Sequence, residues 1–177
     1  LWPGPLTIIF KKSDKVNDVV SCGGDTVAIR NPSDEIARFL IDKSGCPIAA
    51  PSANKSGRPS PTNAQDVYSD MQDEIEMILD GGSCNIGIES TVVDLTEKPY
   101  TILRPGFYTK EDLEEYLDEV VYDKSLIDSN TIPKSPGQKY KHYDPKTKLI
   151  VIKGNMDNIQ NYVDSLGINT DEIGFIL

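Results

Sequence analysis

The hydrophobic pattern divides the chain into short strand-like runs separated by polar turns, with a few helical stretches between them. Leu6 to Phe10 is β-branched and aromatic. It reads as a buried strand entered from the rigid corner Trp2-Pro3-Gly4-Pro5, with Lys11 and Lys12 where it emerges. Thr26 to Ile29 reads as a second strand, ending in Arg30-Asn31-Pro32. From Asp34 to Lys43 the period becomes helical: Ile36, Ala37, Leu40 and Ile41 share one face, Ser33 stands at the N-cap and Gly45 just past the end.

The stretch Cys46 to Thr62 follows, seventeen residues with four prolines and one glycine, entered through the apolar run Ile48 to Ala50. Proline fixes φ and glycine permits close approach, so Ser52, Asn54, Ser56 and Ser60 are held as pre-set donors that suit a phosphate or a carboxylate. Thr62 and Gln65 form a capping box for a helix through Tyr68. Met77 to Leu79 reads as a short strand closed by Asp80-Gly81-Gly82. Two further strands, Thr91 to Asp94 and Tyr100 to Leu103, come next, the second ending in Arg104-Pro105-Gly106. Thr109 and Asp112 open an amphipathic helix carrying Leu113, Tyr116 and Leu117.

This spacing predicts an α/β domain over residues 1–123, a twisted mixed open sheet with flanking helices. Periodicity disappears over residues 124–146, which read as an extended linker. Beyond it Leu149 to Ile152 reads as a strand, Asn155 caps a helix to Leu166, and Ile173 to Leu177 begins another strand. That is the start of a small Rossmann-like βαβ domain over 147–177. Because the chain opens on Leu1 and the βαβ unit stops before a core closes, it reads as a fragment cut at both ends.

Composition narrows the classes. With 38% hydrophobic residues among 177, and no run approaching a membrane span, the chain reads as soluble. Its three cysteines, Cys22, Cys46 and Cys84, form no Cys-x-x-Cys pair, which argues against a zinc site or disulfide framework and fits a reducing cytoplasm. A net charge of −10 argues against broad non-specific binding to nucleic acid.

The candidate chemistry lies just past the strand ends, where open α/β sheets form ligand crevices: Thr7 and Lys11, Ser52 to Ser60, Ser90 and Arg104. These supply hydroxyls, backbone donors and a few cations. There is no Ser-His-Asp set, no paired carboxylates and no metal-ligand cluster, and His142 takes no catalytic role. Such a site works by positioning and charge neutralisation, which suits nucleotidyl transfer without a covalent catalytic residue. The plainer readings are a solvated Lys11, a turn-satisfying Ser90, and an Arg104 that pairs with a carboxylate such as Asp94.

Trp2-Pro3-Gly4-Pro5-Leu6-Thr7, Ala50-Pro51-Ser52-Ala53-Asn54 with Ser56-Gly57 and Pro59-Ser60-Pro61-Thr62, Glu89-Ser90-Thr91-Val92-Val93-Asp94, and Leu103-Arg104-Pro105-Gly106 resemble the successive motifs of the YrdC-type threonylcarbamoyl-AMP synthases. Ser135 to Pro145 resembles the linker of the long, two-domain members. The resemblance implies a YrdC-like fold that condenses L-threonine, bicarbonate and ATP, with Mg²⁺ on the phosphates, to threonylcarbamoyl-AMP and pyrophosphate. That is the first step of a tRNA modification, with a downstream threonylcarbamoyl transferase complex and tRNA as indirect partners.

Carried over by motif, Thr7, Ser52, Ser60 and Arg104 resemble nucleotide contacts supported by Asn54. Lys11, Ala50 and Ser90 resemble threonine contacts, and Tyr143 a linker residue folded back over the nucleotide. The family's basic segment upstream of Trp-Pro-Gly-Pro has no counterpart before Leu1, so the polypeptide as given is expected to be impaired. Two other readings share the fold, the carbamoyl-adenylate-forming domain of a hydrogenase-maturation carbamoyltransferase and a non-catalytic RNA-binding module. The Ser135 to Pro145 linker and the lack of zinc-finger cysteines weigh against the first, and the negative charge against the second.

Overall fold

The computed structural model describes residues 1–126, 150–167 and 174. The chain divides into two compact units, Leu1–Asp144 and Pro145–Leu177. In the first, five strands form one mixed sheet: β1 (Leu6–Lys11), β2 (Thr26–Arg30), β3 (Thr91–Asp94), β4 (Tyr100–Arg104) and β5 (Val120–Tyr122), in the spatial order β2-β1-β3-β4-β5. The pairs β1/β2 and β3/β4 are antiparallel, whereas β1/β3 and β4/β5 are parallel. A parallel pair needs a crossover. For β4 and β5 it carries a short helix, which in chain order is the fourth of five: α1 (Asp18–Ser21), α2 (Glu35–Ser44), α3 (Ala64–Met71), α4 (Lys110–Glu114) and α5 (Met156–Ser165).

The core lies on one face of the sheet. Leu6, Val93, Ile102 and Val120 are buried there with Leu113 of α4, and Ile8, Leu95, Tyr108 and Leu117 pack around them. Side chains alternate across a strand, so Leu6 and Ile8, and Thr91 and Val93, belong to this face, and Thr7, Ile9, Ser90 and Val92 to the other. Thr109 and Asp112 open α4 as expected, and they do so as a capping box: the Thr109 hydroxyl accepts from the Asp112 N–H while the Asp112 carboxylate accepts from the Thr109 N–H. In the second unit Asn155 caps α5, accepting from the Asn158 N–H at 2.9 Å.

Several expected boundaries move. Asp34, not Ser33, caps α2 and accepts from the Ala37 N–H at 2.7 Å, with Gly45 in the left-handed C-cap conformation as expected. Asn63 replaces the expected Thr62 and Gln65 box, accepting from the Asp66 N–H at 2.9 Å. In both cases a better-aligned short polar side chain one residue later takes the orphan helix N–H.

Ile48 to Ala50 and Met77 to Leu79 are not strands, nor are residues 150–152. Prolines at 47 and 51 remove ladder donors on either side of the first run, and Met77 and Leu79 are exposed. The helix α2 buries no residue, and Ile36 and Leu40 of its expected inward face are exposed. Two short elements were not expected: α1, and β5 within the acidic stretch after Glu111. Residues 124–126, read as the start of the linker, form one 3-10 turn. The rest of the linker, with Tyr143 and His142, and the strand expected at Ile173 to Leu177 lie outside the described residues apart from Gly174.

Candidate functional site

The face of the sheet opposite the core carries a row of side chains set by strand register. Thr7 lies opposite Arg30 on β2 and opposite Val92 on β3, and Val92 lies opposite Arg104 on β4. Cross-strand neighbours share a face, so four adjacent strands bring Arg30, Thr7, Val92 and Arg104 into one line. Ser90 stands two residues before Val92 and is buried, at 3% exposure.

Arg104 reaches this face through an irregularity. The step from Val92 to Val93 on β3 matches a step from Arg104 to Ile102 on β4, which makes Leu103 the extra residue. In a regular strand Arg104 would share the core face with Ile102; the shift turns it to the other side.

Ser90 is the hub of the cluster. Its hydroxyl lies 2.8 Å from Thr7 Oγ1, accepts from Arg104 Nη2 at 2.9 Å and from Arg30 Nη1 at 3.3 Å, while its carbonyl accepts from Arg104 Nε at 3.1 Å. Arg104 Nη1 pairs with Glu89 Oε2 at 2.8 Å, and the other Glu89 oxygen accepts from the Ser60 hydroxyl at 3.1 Å. Asp94, the carboxylate named in the plainer reading of Arg104, accepts from the backbone N–H and hydroxyl of Thr96.

The backbone around the hub is fixed from both sides. A Cβ on Gly106 would stand 2.4 Å from Glu89 O and from Thr91 N, so only glycine lets the chain leaving β4 close over Glu89 to Thr91. The Thr91 hydroxyl donates to Tyr108 O at 2.7 Å and accepts from its N–H at 3.0 Å. At the start of β1, Trp2 Nε1 donates to Leu6 O at 2.7 Å and Gly4 N–H to Asn31 O at 2.9 Å, which ties the Trp2 to Pro5 corner to both flanking strands.

The proline-rich loop is held by its own polar contacts and by α3. Asn54 Nδ2 donates to Lys55 O at 3.0 Å and Arg58 O at 3.1 Å, closing the loop, and Arg58 pairs with Asp70 of α3. Lys55 pairs with Glu74 at 3.1 Å. Asn54 Oδ1 is buried without a partner among the described residues. Ser52 and Ser60 line a cleft of about 300 Å³ together with Thr62, Asn63, Leu79 and Gly81.

The expected residues therefore divide. Thr7, Ser60, Ser90 and Arg104 come together through hydrogen bonds or through Glu89; Ser52 shares the cleft with Ser60, and Asn54 shapes the loop. Ala50 is exposed before the loop. Lys11 is exposed on the face of Thr7 but four residues further along β1, roughly 13 Å away at the rise of a strand. Tyr143 is outside the described residues. Sequence reasoning missed Arg30 and Glu89. Arg30 ends a strand, as the other picks do, and that signal could have found it. The role of Glu89 depends on the register shift at Arg104.

Two guanidiniums converge on one buried hydroxyl, Arg104 held by two contacts to Ser90 and one to Glu89 and the exposed Arg30 by one contact at 3.3 Å, an arrangement of donors that suits an anion. Among the described residues no group of three or more His, Cys, Asp or Glu side chains is placed to hold a metal ion. No helix among them is long and apolar enough to cross a membrane.

Comparison with known proteins gives the family. Residues 1–106 match the Sua5_yciO_yrdC family, described as telomere recombination, and residues 108–177 match a family described as threonylcarbamoyl-AMP synthase, C-terminal domain. The threonylcarbamoyl-AMP synthase of Pyrococcus abyssi is 48% identical over 170 residues, covering 93% of this chain and 49% of the relative. That of Bacillus subtilis is 46% identical, covering 92% and 47%. The crystal structure of P. abyssi Sua5 complexed with L-threonine superposes with a TM-score of 0.82 at 46% identity, over 93% of this chain and 49% of that one. E. coli YciO, at 22% identity and a TM-score of 0.55 over 62% of this chain and 54% of that one, shares the fold. The chain spans about half the length of the curated relatives it matches. With its first 106 residues matched in full and its sheet superposing on Sua5, the chain belongs to the Sua5/YciO/YrdC family.

Proposed function

We propose that the protein to which this chain belongs is an L-threonylcarbamoyladenylate synthase, and that residues 1–126 contribute the Ser90 cluster and the serine loop to its active site. The observation that carries this reading is the convergence of Arg30, Arg104 and Thr7 on Ser90, in a chain whose relatives bear that enzyme's name.

In this reading the amine of L-threonine adds to bicarbonate with loss of water. An oxygen of the resulting carbamate then attacks the α-phosphorus of ATP, and pyrophosphate leaves. Magnesium enters with ATP, as the counterion of its phosphates. Ser52, Ser60 and Arg104, with Thr7 and Asn54 behind them, face the nucleotide; Ser90 and Ala50 face threonine, with Arg30 on the Ser90 side as its nearest cation and Lys11 further out along β1. Tyr143 is assigned to the nucleotide by its motif alone. The protein's share is orientation and neutralisation of charge on the reacting phosphate, with no covalent intermediate. The adenylate passes to a downstream threonylcarbamoyl transferase complex and thence to tRNA, in the cytoplasm.

Support for threonine as the amino acid is the crystallised complex of the P. abyssi relative with L-threonine. The test is chromatography and mass spectrometry of quenched reactions of the full-length protein from which threonine, bicarbonate or ATP is omitted in turn. Threonylcarbamoyl-AMP that forms only in the complete mixture supports the reading. A carbamoyl-adenylate formed from carbamoyl phosphate without threonine overturns it.

A further inference from the structure

We infer that Glu89 is a positioning residue that couples the serine loop to the phosphate-facing guanidinium, an assignment that rests on the reading of this site as a nucleotide site. Its carboxylate bridges the serine loop and the end of β4, with Oε1 accepting from the Ser60 hydroxyl, 29 residues away in sequence, at 3.1 Å and Oε2 paired with Arg104 Nη1 at 2.8 Å.

The backbone beneath this carboxylate is immobilised by a separate contact. The position of a Cβ on Gly106 lies 2.4 Å from Glu89 O, so Gly106 packs directly on the Glu89 peptide. The bridge thus stands on a fixed base.

Arg104 uses all three of its nitrogens on this strand end: Nε on Ser90 O, Nη2 on Ser90 Oγ and Nη1 on Glu89. A guanidinium carries five N–H donors, so two remain for an arriving anion while the plane itself is held. The Arg104 and Glu89 side chains keep 24% and 28% exposure, which leaves the pair open to a ligand.

Removing the carboxylate releases both ends together. The Ser60 hydroxyl loses its acceptor and Arg104 loses the contact on Nη1, one of the three that oppose rotation of its guanidinium. Glutamine at the same position keeps the span: its oxygen accepts from Arg104, and its amide donates to the Ser60 hydroxyl.

The experiment uses the full-length protein with two readouts. The first is calorimetric titration with α,β-methylene ATP and magnesium, in parallel with L-threonine, for wild type, Glu89→Ala, Glu89→Gln and Ser60→Ala. Loss of a charge-assisted contact predicts about tenfold weaker nucleotide binding in E89A. Recovery to within about threefold is expected in E89Q, an intermediate loss in S60A, and threonine affinity unchanged within about twofold throughout.

The second readout is NMR of the Arg104 guanidinium, assigned with Arg104→Lys. Separate, slowly exchanging Nη1 and Nη2 signals are expected in wild type and E89Q, and faster exchange between them in E89A. Nucleotide binding by E89A equal to or tighter than wild type overturns the inference, as does an E89Q that falls with E89A. Averaged Nη signals in the wild type also overturn it. A wild-type chain that binds neither nucleotide nor threonine counts against the synthase reading, and the NMR comparison then decides alone whether Glu89 holds Arg104. E89A that fails to fold leaves E89Q and S60A, and an S60A indistinguishable from wild type in nucleotide affinity overturns the coupling.

Discussion

The hydroxyls of Thr7 and Ser90 lie 2.8 Å apart across 83 residues of sequence. Their meeting depends on the parallel pairing of β1 with β3, which places Thr7 against Val92 and Ser90 two residues before it. Ser90 is buried and serves Arg30, Arg104 and Thr7 at once. Replacing it with alanine removes one acceptor from two charged donors, a change that costs about 1–3 kcal/mol when the groups are left unsatisfied. Urea denaturation of Ser90→Ala should show a loss in that range, with weaker threonine binding in the same samples. A variant as stable as wild type would mean that the cluster contributes nothing to the fold.

Gly106 gives a sharper steric test. Alanine there must push its Cβ into the Glu89 and Thr91 backbone, and overpacking of this kind costs about 1–3 kcal/mol or more. Thermal unfolding of Gly106→Ala should drop by several degrees, whereas Gly87→Ala, with nothing within 4 Å of its added Cβ, should unfold close to wild type. Equal behaviour of the two variants would contradict the close packing at Gly106.

Arg30 and Lys11 compete for the role of cation beside threonine. Arg30 touches Ser90, whereas Lys11 is exposed four residues beyond Thr7. Arg30→Ala should therefore weaken L-threonine binding about tenfold or more, and Lys11→Ala by less than about threefold. Calorimetric titration ranks them, and the reverse ranking would return the role to Lys11.

The core prediction concerns Leu113, 1% exposed against Leu6, Val93, Ile102 and Val120. Leu113→Ala should cost about 2–5 kcal/mol, as large-to-small changes in packed cores do. Chemical denaturation measures it, and a loss below about 1 kcal/mol would show that α4 is not packed on the sheet.

One surface pair predicts a pH dependence with a definite sign. The hydrogen bond from Lys98, with its charge, holds the Asp118 carboxyl below the usual carboxylate range, and the same pair raises the Lys98 ammonium above its usual value. A lowered carboxyl contributes stability that is present above its ordinary pKa and lost as pH falls through the lowered value. The raised lysine contributes stability that is complete below its ordinary pKa and lost as pH rises through the raised value. Both groups are fully exposed, so the effect is small and weakened by salt. Asp118→Asn should therefore melt slightly lower than wild type at neutral pH, and the difference should vanish in strong acid. A difference that persists at acid pH would contradict the assignment.

The parts of the fold that were legible in the sequence are those where local pattern and tertiary need agree. β1, β3 and β4 are apolar runs bounded by turn residues, and Thr109 with Asp112 announces α4. β5 was not legible because its three residues, Val120 to Tyr122, sit in an acidic stretch and become a strand only by pairing with β4. Ile48 to Ala50 misled for the opposite reason, since apolar residues form a strand only where a ladder partner exists. In the candidate site, hydroxyls and cations at strand ends could be picked one by one. The register shift that turns Arg104 away from Ile102 cannot be read from composition or period, and so the partnership of Arg104 with Glu89, in place of Asp94, was hidden.

Whether Arg104 serves nucleotidyl transfer is decided by the rate of pyrophosphate release from ATP by the full-length protein, with threonine and bicarbonate supplied together and separately, for wild type and Arg104→Ala. Release is expected to require both co-substrates and to fall by about a hundredfold or more in the variant, the scale on which removing a fixed charge from a transition state acts. Release by folded wild type that ignores threonine or bicarbonate, or that survives the loss of Arg104, would contradict that expectation.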